Sequence, residues 1–260
     1  MSRIIIITGA SSGIGESFAR RLIKRNADKM FLIARRADRL EALTKELSAK
    51  TKMQVVPVVA DISGLKGKDI IKKIIEPNAV IDTLINNAGF GIYGLFGDES
   101  LERYSEMLDV NIKSVVTTCY SALPFLTEGS RIINVASLAA FSPMGAFALY
   151  AASKAFVLNF SLGLAAELSP KKIRVIALCP GPVDTEFSNI ASNGIRKNVP
   201  HGASPNEVVE HCLRELDKGK EIAIMRHSWK IKALLARIVP ITFLARLALR
   251  FERRPSAKGE

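Results

Sequence analysis

The sequence predicts a doubly wound α/β fold, a three-layer sandwich in which helices cover both faces of a seven-stranded parallel sheet, with a helical extension at the C-terminal end. Three observations point there. From the start to about residue 225, short β-branched runs alternate with longer amphipathic stretches, the pattern of repeated βαβ units. A glycine-rich turn, TGASSGIG, lies between the first such run and the first amphipathic stretch, where open α/β sheets bind phosphate. The 260 residues are 48% hydrophobic and 24% charged, a balance that fills one large core and excludes wholesale disorder.

Strands are expected at 3–8, 30–34, 54–59, 83–86, 131–136, 174–178 and 221–225. Helices are expected near 14–26, 37–50, 66–75, 100–126, 150–168 and 205–218, the last opened by Ser204 as cap and Pro205 in the first turn. Right-handed crossovers then place helices on both faces of the sheet. There is no internal repeat, low-complexity stretch or long linker. Residues 1–225 are expected to carry the cofactor and catalytic sites, and 226–260 to form a basic amphipathic extension rather than a second domain.

Charge and cysteine content narrow the function classes. The net charge is +12, but nine Lys/Arg against two acids fall within 226–260, a local excess of +7. That distribution points to an attachment surface on the extension. No zinc finger or RNP motif accompanies it, so nucleic acid is not an expected partner. Cys119, Cys179 and Cys212 are odd in number and widely spaced, which argues against a disulfide framework and against a metal site, and fits a reducing compartment. The four isoleucines near the N-terminus are too few for a signal-peptide core or a spanning helix. A cytoplasmic location is expected.

In the turn, Gly9 permits a tight bend, Gly13 lets backbone approach a pyrophosphate, and Gly15 allows close helix packing. The second strand ends in FLIARRADRL, placing Arg35 and Arg36 where an acid would accept a free ribose 2′-hydroxyl. Arginine there attracts a 2′-phosphate, so NADP(H) is favoured over NAD(H). One charge-assisted bond of about 1.5–3 kcal/mol gives a preference of about tenfold to a hundredfold.

Tyr150 and Lys154 stand four apart in ALYAASKAF and share one helical face, so they can act on one ligand. Ser137 closes the β-rich run INVASL, which brings its hydroxyl to the carboxyl edge of the sheet. With TGASSGIG, Asp61 in VAD, NNAG at 86–89, Asn111 in DVN, Ser137, the Tyr150/Lys154 pair and PGPVDT at 180–185 in order, the chain resembles the short-chain dehydrogenases/reductases over roughly its first 225 positions.

That resemblance implies a Rossmann fold and an oxidoreductase moving a hydride between nicotinamide and a carbonyl or alcohol, with Tyr150 as proton donor or acceptor. It implies that Lys154 holds the nicotinamide ribose and lowers the tyrosine pKa, that Ser137 binds the substrate oxygen, and that Asn111 anchors a proton-relaying water. Cofactor contacts are implied for Ser11, Ser12 and Ile14 in the turn, for Asp61 and Ile62 at the adenine, for Asn87, Ala88 and Gly89, and for Pro180, Val183 and Thr185. Asn86 is either part of that frame or a bridge between strands.

Phe90, Tyr93, Phe141, Met144 and Phe187 flank these motifs, so a lipophilic carbonyl or alcohol substrate is expected. In the extension, Leu244, Leu247, Ala248 and Phe251 fall on one helical face and Arg246, Arg250 and Arg253 on the other, with Pro240 separating two helices. This segment either caps the cleft, packs on a second subunit of a homodimer or homotetramer, or lies on an anionic membrane surface. The alternative to an enzyme is a dinucleotide-sensing protein acting through that basic tail.

Overall fold

The computed structural model describes residues 1–196 and 201–251. Its seven strands are β1 (Ser2–Thr8), β2 (Lys29–Ala34), β3 (Gln54–Val59), β4 (Ala79–Asn86), β5 (Arg131–Val135), β6 (Arg174–Leu178) and β7 (Ile222–Ala223). They form one sheet in the order β3-β2-β1-β4-β5-β6-β7 with every pairing parallel. The order reverses between β1 and β4, which opens a crevice at the carboxyl edge of the sheet.

β1 explains why the sheet is covered twice. Ile4 to Ile7 are each 2% exposed or less, with alternate side chains on opposite faces. Ile5 and Ile7 join a core with Phe18, Leu40 and Val209, from α1 (Gly13–Leu22), α2 (Ala37–Ser48) and α8 (Pro205–Asp217). Ile4 and Ile6 join a second core with Ile71, Val115 and Val157, from α3 (Lys66–Ile74), α5 (Ser114–Ala122) and α6 (Ala148–Leu168). A strand buried on both sides reads as one apolar run, and β1 does. α8 opens with Pro205 in its first turn and a reciprocal capping box between Ser204 and Glu207.

Some boundaries differ from expectation for identifiable reasons. β4 starts at Ala79 rather than 83 because the buried Asp82 interrupts the apolar pattern without interrupting the strand. Its carboxylate accepts from Arg3 at 2.5 Å, from Arg25 at 3.2 Å and from the Thr83 hydroxyl at 2.7 Å. The expected helix over 100–126 is divided into α4 (Leu101–Leu108), a π-turn at Asp109–Lys113, α5, and a final 3₁₀ turn at Leu123–Phe125 containing Pro124. The side-chain hydroxyls of Ser114, Thr117 and Thr118 each bond back to carbonyls three or four residues earlier, a local alternative to regular helix geometry. α1 stops at Leu22 rather than 26, β7 is two residues long, and a short α7 (Phe187–Ala191) lies where no helix was expected.

The extension forms α9 (His227–Ile238) and α10 (Ile241–Phe251), divided at Pro240. α9 packs inward through Trp229 and Ala233, both 5% exposed. The indole fits against Gly181, where a Cβ would stand 2.5 Å from the ring, and Leu249 of α10 sits on Gly145 in the same way. Both helices therefore lie beside the carboxyl edge of the sheet, next to the loops after β5 and β6. Arg253 lies outside the described residues.

The Asp82 cluster is remote from that edge, so Asp82→Ala is expected to lower unfolding free energy by about 2–3 kcal/mol, since it strands two arginines that remain partly solvated. Urea unfolding monitored by circular dichroism measures this loss.

Candidate active site

The crevice begins at the end of β1. The Thr8 hydroxyl accepts from the backbone N–H groups of Asn87 and Ala88, both at 3.0 Å. The Asn87 side-chain amide donates back to the carbonyls of Thr8 and Gly9, at 3.1 and 3.0 Å. The glycine-rich turn is thus stapled to the loop after β4. Gly9 takes a left-handed φ of 64°, and a Cβ on Gly15 would collide with the Gly9 carbonyl and the Asn87 amide. Opposite the turn, a Cβ on Gly13 would lie 2.9 Å from the Thr185 side chain. Gly13 therefore packs against Thr185 beside the amino end of α1, whose cap residue Ser12 makes no side-chain cap. That end leaves backbone N–H groups without intrahelical partners, an arrangement that can bind an anion.

The two arginines after β2 part company. Arg35 is 63% exposed at the side chain and pairs with Glu106 at 3.1 Å. Arg36 folds across the turn, donating to the hydroxyls of Ser11 (3.1 Å) and Ser12 (2.6 Å). It also meets Glu186 at 2.7 Å, and Arg39 meets the other oxygen of that carboxylate at 2.8 Å. Arg36 and Arg39 hold the Glu186 carboxyl below its usual range. This clasp joins the second strand's turn to the loop after β6, and nothing in the sequence pattern of Glu186 announced it. Burial opposes ionisation of Asp61, but hydrogen bonds from Lys66 and from Ser63 outweigh it and bring its carboxyl down to about 2.

At the other end, Tyr150 is buried at the start of α6. Its ring stacks on Phe147 at 4.2 Å between centroids and tilts against Phe187 at 5.3 Å. Burial pushes its phenol well above the ordinary tyrosine range, while a hydrogen bond with Ser137 pulls the other way. The Ser137 hydroxyl oxygen accepts from the Ala139 N–H at 3.1 Å. Lys154, one helical turn further on, is 5% exposed; its Nζ donates to the Val135 carbonyl at 2.8 Å and lies 5.8 Å from the Tyr150 ring centroid. Burial lowers its ammonium to about 8.

Asn111 stands behind these groups in the π-turn, fully buried. Its carboxamide accepts from Phe90 N at 3.1 Å and donates to Phe90 O at 2.9 Å and to Ser153 Oγ at 3.1 Å. Ser153 in turn donates to the Tyr150 carbonyl at 2.7 Å. Asn86 bridges β4 and β5 through Asn134 at 2.8 Å and accepts from Thr118 at 2.7 Å, the strand-bridging alternative.

Both ends open into one cleft of about 1110 Å³. Of the residues expected to form the site, all but Gly15 and Asn111 line it, and those two support it from beneath. Phe90, Tyr93, Phe141, Met144 and Phe187 form its apolar part. Phe147 joins them, 4.7 Å from Tyr93. A Cβ on Gly91 would touch both Phe147 and Phe187 at 2.9 Å, so these rings close over glycine. Among the described residues, no three metal-ligating side chains converge. The three cysteines are buried thiols, and burial raises Cys119 and Cys179 to about 12.

Residues 3–194 match the short chain dehydrogenase family. The chain belongs to that family. An uncharacterized oxidoreductase of Staphylococcus aureus is 32% identical over 225 residues, 85% of this chain and 94% of the relative. A short-chain dehydrogenase from Sphingobium yanoikuyae, solved in complex with NADPH, superposes with a TM-score of 0.80 at 30% identity, covering 91% of this chain and 93% of that one. The bulky-bulky ketone specific alcohol dehydrogenase from Comamonas testosteroni superposes with a TM-score of 0.75 at 26% identity over 92% of each chain. A Burkholderia phymatum member solved with NAD shares the fold with a TM-score of 0.80 at 20% identity, covering 98% of this chain and 96% of that one.

This short-chain dehydrogenase holds the Lys154 ammonium almost wholly buried in the wall of the cleft, and that burial carries a cost. Displacing Lys154 from 10.5 to about 8 means that the folded state resists its protonation, a penalty of about 3 kcal/mol at pH 7. Between pH 8 and 10.5 the unfolded chain binds the extra proton, so this contribution to stability rises with pH. Lys154→Met removes this penalty together with the Val135 bond, so its stability relative to wild type is expected to be about 3 kcal/mol more favourable at pH 7 than at pH 11. Denaturant melts at the two pH values read it directly.

Proposed function

We propose that this oxidoreductase uses NADP(H) to interconvert lipophilic ketones or aldehydes and their alcohols, with Tyr150 exchanging the proton. The observation that carries the reading is one cleft joining a phosphate cradle to a buried tyrosine flanked by a serine hydroxyl and a lysine ammonium. The glycine-rich end suits a dinucleotide, because Gly9 and Gly13 bring the turn against Asn87 and Thr185 without side chains of their own, and the amino end of α1 leaves N–H groups for a pyrophosphate. Bound there, the nicotinamide supplies or accepts the hydride.

The chain's own groups supply the rest. The Ser137 hydroxyl accepts from Ala139 and bonds to Tyr150, and with substrate bound its proton turns to polarise the carbonyl. Tyr150, kept protonated by burial, donates to the alkoxide as it forms. Lys154 stabilises the resulting phenolate and, with an ammonium at about 8, readily restores the proton. Asn111 has its side chain committed to Phe90 and Ser153, which in this reading positions the helix turn bearing Tyr150 and leaves the relay water expected there to its surroundings. The aromatic walls favour bulky apolar substrates, in keeping with the ketone specificity of the Comamonas relative.

Purified protein tested with NADPH and NADH against aromatic ketones, aldehydes and diketones is expected to turn over with NADPH. Tyr150→Phe is expected to lose about a thousandfold in kcat with NADPH binding retained; an active variant overturns the assignment. In the reductive direction kcat/KM is expected to fall as pH rises past about 8, where Lys154 loses its charge.

Arg36 is proposed as the 2′-phosphate contact and Glu186 as its competitor. Arg36→Ala is expected to weaken NADPH about tenfold to a hundredfold and leave NADH unchanged. Glu186→Gln frees Arg36 from a half-exposed ion pair and is expected to tighten NADPH about threefold. Fluorescence titration of both nucleotides against both variants measures this; equal effects on NADH remove Arg36 from the phosphate site.

A further inference from the structure

The outward surface of α9 and α10 is unused by the proposed reaction. Trp229, Ala233 and Ala236 mark the side of α9 that packs on the body and borders the cleft. On the opposite side, Ile231, Leu234, Leu235 and Ile238 recur at the spacing of one helical face and are 57%, 58%, 48% and 71% exposed. Helical spacing places Lys230 and Arg237 along one edge of this stripe and Lys232 along the other. Phe243 in the first turn of α10 adds a further apolar side chain, 55% exposed. Residues 226–251 carry six Lys/Arg and no Asp or Glu. A stripe of aliphatic side chains between two rows of cations is unusual for a surface that meets only water.

We infer that this face docks the enzyme on an anionic phospholipid bilayer, peripherally and through the interfacial region. Charge selects the occupant. A second copy joined through the same face would set six cations against six with no carboxylate from either segment to relieve them. The last nine residues contain no apolar side chain larger than proline, so they have nothing with which to cover the stripe. An anionic bilayer supplies both an apolar layer for the stripe and counter-charge for its edges. Lys232, Ala236 and Arg250 also line the cleft, so the docked face adjoins its mouth. If the apolar cleft takes the lipophilic carbonyl proposed above, the substrate enters from the bilayer; the docking itself does not depend on that reading.

The full chain is sedimented with phosphatidylglycerol-containing vesicles and, separately, with phosphatidylcholine vesicles. It is expected to bind the anionic vesicles about tenfold or more in preference to the neutral ones, and to be released by added salt. The double substitution Leu234→Asp and Ile238→Asp, on the side of α9 away from the cleft, is expected to abolish binding while leaving the circular dichroism melt and NADPH affinity unchanged. Lys230→Glu with Arg237→Glu, which keeps the stripe, is expected to lose the preference for anionic vesicles. Absence of sedimentation with either vesicle overturns the inference, as does equal sedimentation of the stripe variant. So does light scattering that shows a wild-type dimer converted to monomer by the stripe substitutions, which would make the face a subunit interface. None of these readouts requires turnover, so a failed search for substrates leaves them intact.

Discussion

The buried ammonium of Lys154 is the constraint around which the site is arranged. Its Nζ donates to the carbonyl of Val135 at the end of β5, 2.8 Å away, and that bond ties α6 to the carboxyl edge of the sheet. The same contact fixes the height of α6, and hence of Tyr150 one turn earlier, relative to Ser137 two residues beyond β5. Asn111 acts from behind with a similar economy of parts, holding Phe90 on one side and, through Ser153, the helix turn of Tyr150 on the other. Lys154, Ser137 and Asn111 occupy fixed relative positions because the side chain of each is bonded to main chain.

The glycine-rich end of the cleft shows a different solution. There the geometry rests on close approach rather than on buried charge: Asn87 reaches into the glycine-rich turn, and Gly15 has no room for a side chain. Charge enters only at the rim, where Arg36 lies over Ser11 and Ser12 and is balanced by Glu186. A rigid floor with an adjustable rim suits a site that must accept a large ligand and release it.

Much of this was legible in the sequence because the signals were local. β1, the glycine turn, α6 and the aromatic residues around the cleft all declared themselves through spacing of two, four or a few residues, and the helical break at Pro240 did so by the absence of an N–H. What escaped were features created by distance. The early start of β4 depends on Arg3 and Arg25 meeting Asp82. The division of the long helix after residue 100 depends on hydroxyl back-bonding around a π-turn. Glu186 is an ordinary acid until two arginines some 150 residues earlier close on it. The outward stripe of α9 escaped for another reason: the helix has two apolar faces, and only packing reveals which one the body has taken.

The place of β1 in the sheet also has a consequence during synthesis. Its four isoleucines leave the ribosome ahead of both neighbours, for the strand lies between β2 and β4, and β4 begins only at Ala79. At roughly 5–20 residues per second, one edge of a strand with four consecutive isoleucines waits several seconds for its partner. Such an edge pairs readily with any other exposed strand. The growing chain is therefore most in need of a chaperone while β1 waits for β4, long before the cleft or α6 exists.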